Sequence, residues 1–296
     1  MDQNTSGLRR EPTLGSAVAS LEDRPIGRIL VDLGKLRPRD VDRVFRVHRE
    51  QGLRFGEAAR KLRLVKDADI QYALSIQFGY PYLKPGQGVL SPELVAAHEP
   101  FDTQSEILRD LRTQLVLHWV NAEHKALVVA SANPRDGRSY LAANLAVVFA
   151  QLGGKTLLID GDMRHPCQHR IFGQGNGPGL AQVLSGRLGA EAAARVPYFD
   201  NLWLLPAGAA PPNPLELLSA PGFPRLLQEF RGQFDLILID TPAAARGSDA
   251  RVIGARADGA LVIARADRTR AAELDRLCRT MNGSGTPVVG TVLNRY

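Results

Sequence analysis

The chain has 296 residues, of which 44% are hydrophobic, and 37 Lys and Arg against 31 Asp and Glu give a formal net charge of +6. This composition is typical of globular proteins, and the length suits two domains. No apolar run reaches the roughly 18 residues of a membrane helix, and the first residues contain no apolar signal segment. We therefore expect a cytoplasmic protein, and two cysteines without framework spacing agree with a reducing compartment.

The basic residues are spread along the chain. We interpret the positive charge as a solvated, arginine-rich surface and expect no nucleic-acid partner. The alternative, an acidic partner such as a nucleotide or an anionic membrane, stays open.

The first third of the chain indicates a small helical domain. Residues 1–24 are polar and predict a flexible segment. Residues 25–86 contain two related halves offset by 29 residues, because the run from Ile26 to Leu36 aligns with the run from Phe55 to Val65. Apolar positions at helical spacing predict two short helices in each half. Residues 87–104 contain Pro, Gly and Ser and are interpreted as a linker.

From residue 105 to 296, apolar strands alternate with helical segments. The predicted strands are Ala126–Ala130, Leu157–Ile159, Leu202–Leu205, Leu236–Ile239, Ala260–Ile263 and Val288–Leu293. This rhythm predicts an α/β fold with a mostly parallel sheet and helices on both faces. In such sheets, ligands bind at the carboxyl ends of the strands.

The segment between the first strand and the next helix has the form of a phosphate-binding loop. It runs from Ser131 to Ser139 and lies between Ala126–Ala130 and a predicted helix from about Ser139 to Gln151. Gly137 permits backbone N–H groups to converge on a phosphate, and the helix N-terminus favours negative charge there. The predicted nucleotide-binding residues are Pro134, Arg135, Asp136, Gly137, Arg138, Ser139 and Tyr140.

Arg138 stands where the general phosphate-loop pattern has Lys. A guanidinium pairs with phosphate oxygens but is planar and larger than an ammonium group. We expect nucleotide binding to survive this change and phosphoryl transfer to be slower.

Carboxylates follow two of the buried strands. Asp160 and Asp162 end one strand, and Asp240 ends another. Carboxylates beside phosphates require a cation between them, which predicts Mg²⁺ held by Ser139, Asp162 and Asp240. One of Asp160 and Asp162 is expected to accept a proton from an attacking hydroxyl, so these two and Arg138 are the candidate catalytic residues.

These motifs make the segment from Glu106 onward resemble the bacterial tyrosine kinases of polysaccharide export, which are related to the MinD and ParA ATPases. The likeness also includes the runs Asn144-Leu-Ala, Met163-Arg-His-Pro, Gly179–Gly186 and Leu205–Pro214. It covers about 190 residues and is most similar to the exopolysaccharide chain-length-determinant kinases of EpsG type. The resemblance implies a P-loop fold of the MinD/ParA type, ATP and Mg²⁺ as cofactors, and protein-tyrosine kinase activity.

The same resemblance implies partners and further residues. It implies a separate membrane-bound chain-length determinant that recruits the chain to the inner membrane. It also implies ring-type self-association through Glu106, Arg109 and Arg112. Asn294 matches an adenine-contacting Asn of the MinD-like relatives. The family's tyrosine-rich tail is reduced here to Tyr296, the candidate phosphoacceptor.

The repeat in the first domain resembles the MshEN domain of secretion and pilus ATPases, which binds cyclic di-GMP. The residues that match its doubled motif are Gly27, Leu30, Gly34, Arg54, Gly56 and Gln77. A helical docking module without a ligand is an equal alternative.

Three functions remain open. The first is an ATP-dependent kinase or ATPase that regulates exopolysaccharide polymerisation and export. The second is a catalytically weak scaffold that responds to nucleotide and cyclic di-GMP. The third is a positioning ATPase of the ParA/MinD type, which Asn133 opposes because that class has Lys at this position.

Overall fold

The computed structural model describes residues 25–77 and 89–295, which belong to two compact units. The division falls between Lys84 and Pro85. Predictions for residues 1–24, for residues 78–88 and for Tyr296 lie outside the described residues.

The first unit is helical over its described residues. Its α-helices are α1 (Ile26–Asp32), α2 (Val41–Gln51), α3 (Phe55–Lys61) and α4 (Asp67–Gln77). A 3₁₀ turn, Pro38–Asp40, precedes α2. Residues 25–77 carry twelve Lys and Arg against seven Asp and Glu, so most of the net positive charge of the chain lies in this range.

The 29-residue repeat is present in the backbone. The amide of Leu33 donates to the carbonyl of Ile29 at 2.9 Å, and the equivalent bond from Leu62 to Ala58 is 3.1 Å. Side chains at equivalent positions are also buried in one core, in the pairs Ile29 and Ala58, Leu30 and Ala59, Leu36 and Val65, and Val44 and Ala73. Each half is therefore the same helix–turn–helix unit, and the two halves share their apolar face.

The turn after the first helix of each half requires a left-handed backbone. Gly34 has φ +67°, and Arg63, its equivalent, has φ +54°. Glycine adopts this conformation without steric cost, whereas a residue with a Cβ does not. The same left-handed turn is therefore formed by a favourable residue, Gly34, in the first half and by an unfavourable one, Arg63, in the second.

The second unit contains a seven-stranded sheet in the order β3-β4-β2-β5-β1-β6-β7. The strands are β1 (Ala126–Ser131), β2 (Thr156–Asp160), β3 (Ala194–Arg195), β4 (Leu202–Leu205), β5 (Leu236–Asp240), β6 (Gly259–Arg265) and β7 (Val288–Asn294). All neighbours pair in parallel except β3, which is antiparallel to β4. The six predicted strands all occur, and the short edge strand β3 was not predicted.

Helices cover both faces of this sheet. They are α5 (Val95–His98), α6 (Thr103–His118), α7 (Arg138–Gln151), α8 (Gln168–Ile171), α9 (Leu180–Leu184), α10 (Pro214–Ser219), α11 (Gly222–Arg231), α12 (Asp249–Gly254) and α13 (Ala271–Gly283). Every residue of β1, β2 and β5 is buried. Burial on both sides explains why these strands are continuously apolar instead of alternating with polar residues.

Helix α7, which follows the loop, is buried nearly all round because it lies between the sheet and residues 89–104. Asn144 accepts a hydrogen bond from the amide of Ala96 at 3.1 Å and donates to the carbonyl of Glu93 at 2.9 Å. The described part of the segment interpreted as a linker is therefore attached to the helix that carries the loop.

None of the helices within residues 25–77 and 89–295 combines the length and the apolar character that crossing a bilayer requires.

The repeat predicts opposite effects of two substitutions in the turns. Gly34→Ala should lower the stability of the first unit by about 1 kcal/mol, because Ala pays the left-handed backbone cost. Arg63→Gly should raise it, because that cost is removed. Native-state hydrogen exchange of peptides within residues 25–77, measured on the full chain, reports both changes. Glu50→Ala, an exposed change on α2, serves as the control; equal behaviour of Gly34→Ala and Arg63→Gly would contradict the argument.

Candidate nucleotide and metal site

The loop between β1 and α7 has the backbone of an anion cradle. Gly137 has φ +105°, and a Cβ at this position would lie 2.4 Å from Nδ2 of Asn294. Only glycine fits there. Arg135 also has positive φ, +66°, which is a strained conformation for a residue with a side chain. The buried carboxylate of Asp136 closes the loop by accepting a hydrogen bond from the amide of Asn133 at 2.9 Å.

The side chain of Arg138 is buried and held by the protein. Its Nε donates to the carbonyl of Thr241 at 2.6 Å, and its Nη1 donates to Oγ of Ser131 at 2.8 Å and to the carbonyl of Asn133 at 3.3 Å. Its Nη2 lies 4.0 Å from Oδ2 of Asp162. The guanidinium therefore ties the loop to the end of β5.

Three carboxylates meet at the carboxyl ends of β2 and β5. Asp160 and Asp240 occupy paired register positions on these neighbouring strands, and both are fully buried. Asp162, which is 4% exposed, follows two residues after Asp160. The three acids lie together because the parallel strands β2 and β5 end at the same edge of the sheet.

The backbone beyond β2 satisfies Asp160. Its Oδ1 accepts from the amide of Asp162 at 3.2 Å, and its Oδ2 accepts from the amides of Cys167 and Gln168, each at 2.9 Å. Asp162 in turn accepts from the amides of Arg164 and His165. The carboxylates thus shape the loop that follows the strand, and Oδ2 of Asp162 is the oxygen that faces Arg138.

Asp240 is only half satisfied. Its Oδ2 accepts from Nε2 of Gln168 at 2.8 Å, and the thiol of Cys167 lies 4.0 Å from the same oxygen. Its Oδ1 is buried without a hydrogen-bond partner among the described residues. A buried carboxylate oxygen without a donor is costly unless a cation or water occupies the place beside it.

The positive charge of Arg138 does not balance the acidic groups of this site. Burial, and then the neighbouring Asp240, raise the pKa of Asp160 to about 8. Burial also raises the pKa of Asp240, against the influence of Arg138 and of the Ser139 hydroxyl. Burial and Asp240 raise the pKa of the Cys167 thiol to about 12. Ionisation of these buried acids is therefore unfavourable unless a cation binds beside them in addition to Arg138.

The remaining residues predicted for the nucleotide site surround this centre. Ser139 is half-buried, and its carbonyl accepts from Gln168 at 3.1 Å. Tyr140 donates from its hydroxyl to Gln104 at 3.1 Å. Asn294 donates to the carbonyl of Asp136 at 3.0 Å, so its amide braces the loop. Pro134 is half-buried within the loop.

The residues predicted for self-association lie on α6, where their surroundings differ. Glu106 is exposed and pairs with Arg109. Arg112 donates to the carbonyl of Val148 at 2.9 Å on α7. All three side chains therefore have contacts within their own unit, and Glu106 is exposed although it pairs with Arg109.

The residues predicted for cyclic di-GMP divide by burial. A Cβ on Gly27 would lie 2.8 Å from the ring of Phe55, and one on Gly56 would lie 3.0 Å from Ile70. Both glycines and Leu30 are buried in the helical unit, whereas Gly34 and Arg54 are exposed. Gln77, which ends α4, is half-buried. Packing accounts for the buried positions without a ligand.

Sequence reasoning missed two groups at this site. Gln168 joins the two carboxylate strands, because its backbone amide reaches Asp160 and its side chain reaches Asp240. Arg164 pairs with the buried Asp249 at 3.2 Å and so connects the loop after β2 to α12. The side chains of Gln168 and Arg164 bond to Asp240 and Asp249, which lie more than 70 residues further along the chain. No local sequence pattern predicts contacts over such distances.

Within the described ranges, no group of three or more His, Cys, Asp and Glu side chains is arranged to hold a metal ion. A cation at this edge would therefore take only one or two carboxylates from the chain. This ligand set fits Mg²⁺, which keeps waters and binds substrate phosphates along with a few protein oxygens.

The sheet, the glycine-containing loop and the carboxylates at neighbouring strand ends define the class as a P-loop NTPase of the MinD/ParA type. The cell-division ATPase MinD of Pyrococcus furiosus has a similar fold, with a TM-score of 0.52 and 26% identity, over 58% of this chain and 72% of that one. No model of a known protein family matches the chain.

Curated relatives narrow the assignment. The putative tyrosine-protein kinase CapB of Staphylococcus aureus is 34% identical over 209 residues, which are 71% of this chain and 91% of CapB. The tyrosine-protein kinase YwqD of Bacillus subtilis is 34% identical over 68% of this chain and 85% of its own length. The kinase domain of Escherichia coli Etk superimposes with a TM-score of 0.67 at 30% identity, over 72% of this chain and 83% of that domain.

The chain therefore belongs to the family of bacterial tyrosine kinases, the BY-kinases. The more specific EpsG-type assignment and the MshEN resemblance of the first unit stay predictions.

The raised pKa values predict how stability depends on pH. In the unfolded chain, aspartate side chains ionise at about pH 4, whereas Asp160 in the folded protein keeps its proton up to about pH 8. The folded protein thus binds more protons between these values, and its free energy of unfolding should fall as pH rises, by at most about 1.4 kcal/mol per pH unit for one proton. In Asp240→Asn, the free energy of unfolding should fall less steeply between pH 6 and 8. The substitution removes the charge that helps to raise the pKa of Asp160, and the Asn side chain still accepts the hydrogen bond from Gln168.

Urea unfolding followed by tryptophan fluorescence measures this dependence, since Trp119 and Trp203 both lie in the second unit. Asp200→Asn, an exposed change of the same charge, is the control. An unchanged slope in Asp240→Asn would contradict the charge deficit.

Proposed function

We propose that the chain is an ATP-dependent protein-tyrosine kinase and ATPase that phosphorylates itself and regulates exopolysaccharide polymerisation and export. The observation that carries the proposal is the buried Asp240, with an unpartnered oxygen beside a glycine cradle and a charge deficit. Membership of the tyrosine kinase family supports the reaction type.

The residues fit a magnesium nucleotide. Pro134 to Tyr140 would surround the phosphates, and Ser139, Asp162 and Asp240 would hold Mg²⁺ directly or through water. Bound Mg²⁺–ATP would supply the transferable phosphoryl group. The septum site-determining protein MinD of Pyrococcus horikoshii, which has a similar fold, is known as a complex with Mg-ADP. Asn294 would support the loop on the nucleotide side.

The hydrogen bonds favour different tasks for the two acids after β2. Asp160 already accepts three backbone amides, so its task is to hold the loop that follows the strand. Asp162 keeps one oxygen that faces Arg138 at 4.0 Å, and we assign it the proton of the attacking hydroxyl. Arg138 would neutralise developing negative charge while it positions the loop.

The partner and the assembly complete the proposal. The chain would act on the cytoplasmic side of the inner membrane, to which a membrane-bound chain-length determinant recruits it. Ring-type self-association would use the helix with Glu106, Arg109 and Arg112, and Tyr296 would receive the phosphate from a neighbouring copy.

A second candidate is a catalytically weak scaffold that binds nucleotide. The observation that favours it is the engagement of Arg138 with three protein acceptors, which leaves a single nitrogen, Nη2, for a phosphate. A strained Arg135 in the loop points the same way. Such a protein would report nucleotide state to the export machinery without rapid turnover.

Arg138→Lys separates the candidates. For a kinase, wild-type protein should release phosphate from Mg²⁺–ATP and label itself, and Arg138→Lys should raise the rate several-fold, because the smaller ammonium leaves the acceptors of the loop more easily. Asp162→Asn should abolish both signals, while nucleotide binding, to which Ser139 and Asp240 still contribute through Mg²⁺, should stay measurable in calorimetry. Arg225→Lys, an exposed change on α11, is the control.

Phosphosite mapping of the labelled protein then tests Tyr296. Absence of wild-type turnover, with turnover created by Arg138→Lys, would favour the scaffold. Absence of any affinity for ATP or ADP with Mg²⁺ would remove both candidates.

For the first unit, we propose a response to cyclic di-GMP. The excess of Lys and Arg in residues 25–77 and the exposed Arg54 and Gly34 favour an anionic ligand on this surface. We expect micromolar binding in calorimetry and at least tenfold weaker binding in Arg54→Ala, because one charge-assisted phosphate contact is lost. Arg28→Ala, whose side chain pairs with Asp32, is the control. No heat with cyclic di-GMP would leave a docking module without a ligand.

A further inference from the structure

A cleft of about 320 Å³ lies beside the phosphate-binding loop, and the nucleotide proposal does not use it. Its walls are the loop at Ala132 and Asn133, the turn that follows β5, and the helices α12 and α13. Its floor is apolar, because it includes the buried side chains of Leu277 and Met281. Ligand pockets in proteins measure roughly 300 to 1,000 Å³, so the cleft has room for a small ligand group.

The loop wall of the cleft is on the side of the catalytic acid. The carbonyl of Asn133 accepts from Nη1 of Arg138 at 3.3 Å. Nη2 of the same guanidinium lies 4.0 Å from Oδ2 of Asp162. Asn294, which we assign to the nucleotide side, contacts the loop further along the chain and does not line the cleft.

The opposite wall is joined to the same acid. Ser248 lines the cleft, and the next residue, Asp249, pairs with the side chain of Arg164 at 3.2 Å. The backbone amide of Arg164 donates to Oδ1 of Asp162 at 3.2 Å. A group bound in the cleft would therefore approach the site from the side of Asp162.

Two cations line this cleft. Arg251 on α12 and Arg276 on α13 are exposed, and neither guanidinium has a hydrogen bond or an ion pair within residues 25–77 and 89–295. The acid in the wall, Glu273, already accepts from Nδ2 of Asn133 at 2.8 Å and from the amide of Arg270 at 3.1 Å. These two hydrogen bonds lower the pKa of Glu273 more than the charge of Arg276 does. The guanidinium groups are thus available to a ligand.

Cations above an apolar floor suit a ligand that combines an apolar ring with carboxylates. Guanidinium groups bind carboxylates in a planar fork, and aromatic rings pack well against a methionine sulfur such as that of Met281. A tyrosine between acidic residues supplies both groups. The segment before Tyr296 does not, since residues 276–295 contain no Asp or Glu.

We propose that this cleft is the acceptor site for a tyrosine in an acidic segment of another protein, with Arg251 and Arg276 pairing with the carboxylates that flank it. The inference rests on the proposed kinase function and adds a substrate to Tyr296. In the transfer, the tyrosine oxygen bonds to the γ-phosphorus of ATP, and the bond from that phosphorus to the bridging oxygen of ADP breaks. The hydroxyl proton passes to Asp162.

Peptide binding to the full chain tests the site without relying on turnover. The probe is a fluorescent peptide with tyrosine between two glutamates on each side, followed by anisotropy in the presence of Mg²⁺–ADP. It should bind about tenfold more tightly than a peptide with glutamines in place of the glutamates, and than an acidic peptide with alanine in place of tyrosine.

Substitutions then test the two cations. Arg251→Gln and Arg276→Gln should each weaken binding of the acidic peptide by about threefold or more, the loss expected for an exposed ion pair. Arg279→Gln is the matched control, because it removes an exposed charge from α13 that pairs with Asp275 and does not line the cleft. Equal affinity for the acidic and glutamine peptides, or for the tyrosine and alanine peptides, would overturn the inference.

Transfer from Mg²⁺–ATP separates this inference from the proposed function. Arg251→Gln should raise the KM for the acidic peptide and leave kcat within about twofold, because the guanidinium binds the substrate away from the reacting atoms. Peptide binding without any transfer would overturn the kinase function and the acceptor role with it. Self-labelling of the chain without preference for the acidic peptide would overturn this inference alone.

Discussion

The second unit depends on two buried carboxylates at adjacent register positions. Asp160 and Asp240 end neighbouring parallel strands in the centre of the sheet, where neither is exposed. Burial, and then the charge of Asp240, raise the pKa of Asp160, and burial raises the pKa of Asp240, so the fold requires positive charge beside this pair. The loop before α7 supplies the guanidinium of Arg138, and the loop after β2 donates backbone amides to Asp160.

Arg138 supplies part of this positive charge. Burial raises the pKa of Asp240, and the guanidinium of Arg138 opposes that rise; it also joins the loop to the end of β5 through the carbonyl of Thr241. A lysine in its place has one nitrogen and cannot make three directed hydrogen bonds to these acceptors at once while it also faces Asp162. Arg138, in the place where the general phosphate-loop pattern has Lys, thus provides a rigid connection between two loops instead of a mobile phosphate ligand. That exchange is the physical basis for the two candidate functions of this kinase-family protein.

The first unit shows how a repeat diverges while its core is kept. Buried positions 29 residues apart remain apolar, from Ile29 and Ala58 to Val44 and Ala73, because both halves bury the same face. The turns have diverged, since Gly34 is replaced by Arg63 at the same left-handed position. The glycines that suggested a ligand, Gly27 and Gly56, are covered by side chains and serve the packing of the helices.

Local pattern determined much of this protein from sequence. Continuous apolar runs predicted the central strands, and the order of strand, loop and helix predicted the cradle, since both depend on residues near each other in the chain. Only the tertiary structure decided that Gln168 joins Asp160 to Asp240, that Arg138 points to protein acceptors, and that Cys167 faces the strand ends. These contacts join residues as far as 103 positions apart. They arise from strand order and side-chain direction, which local periodicity does not encode.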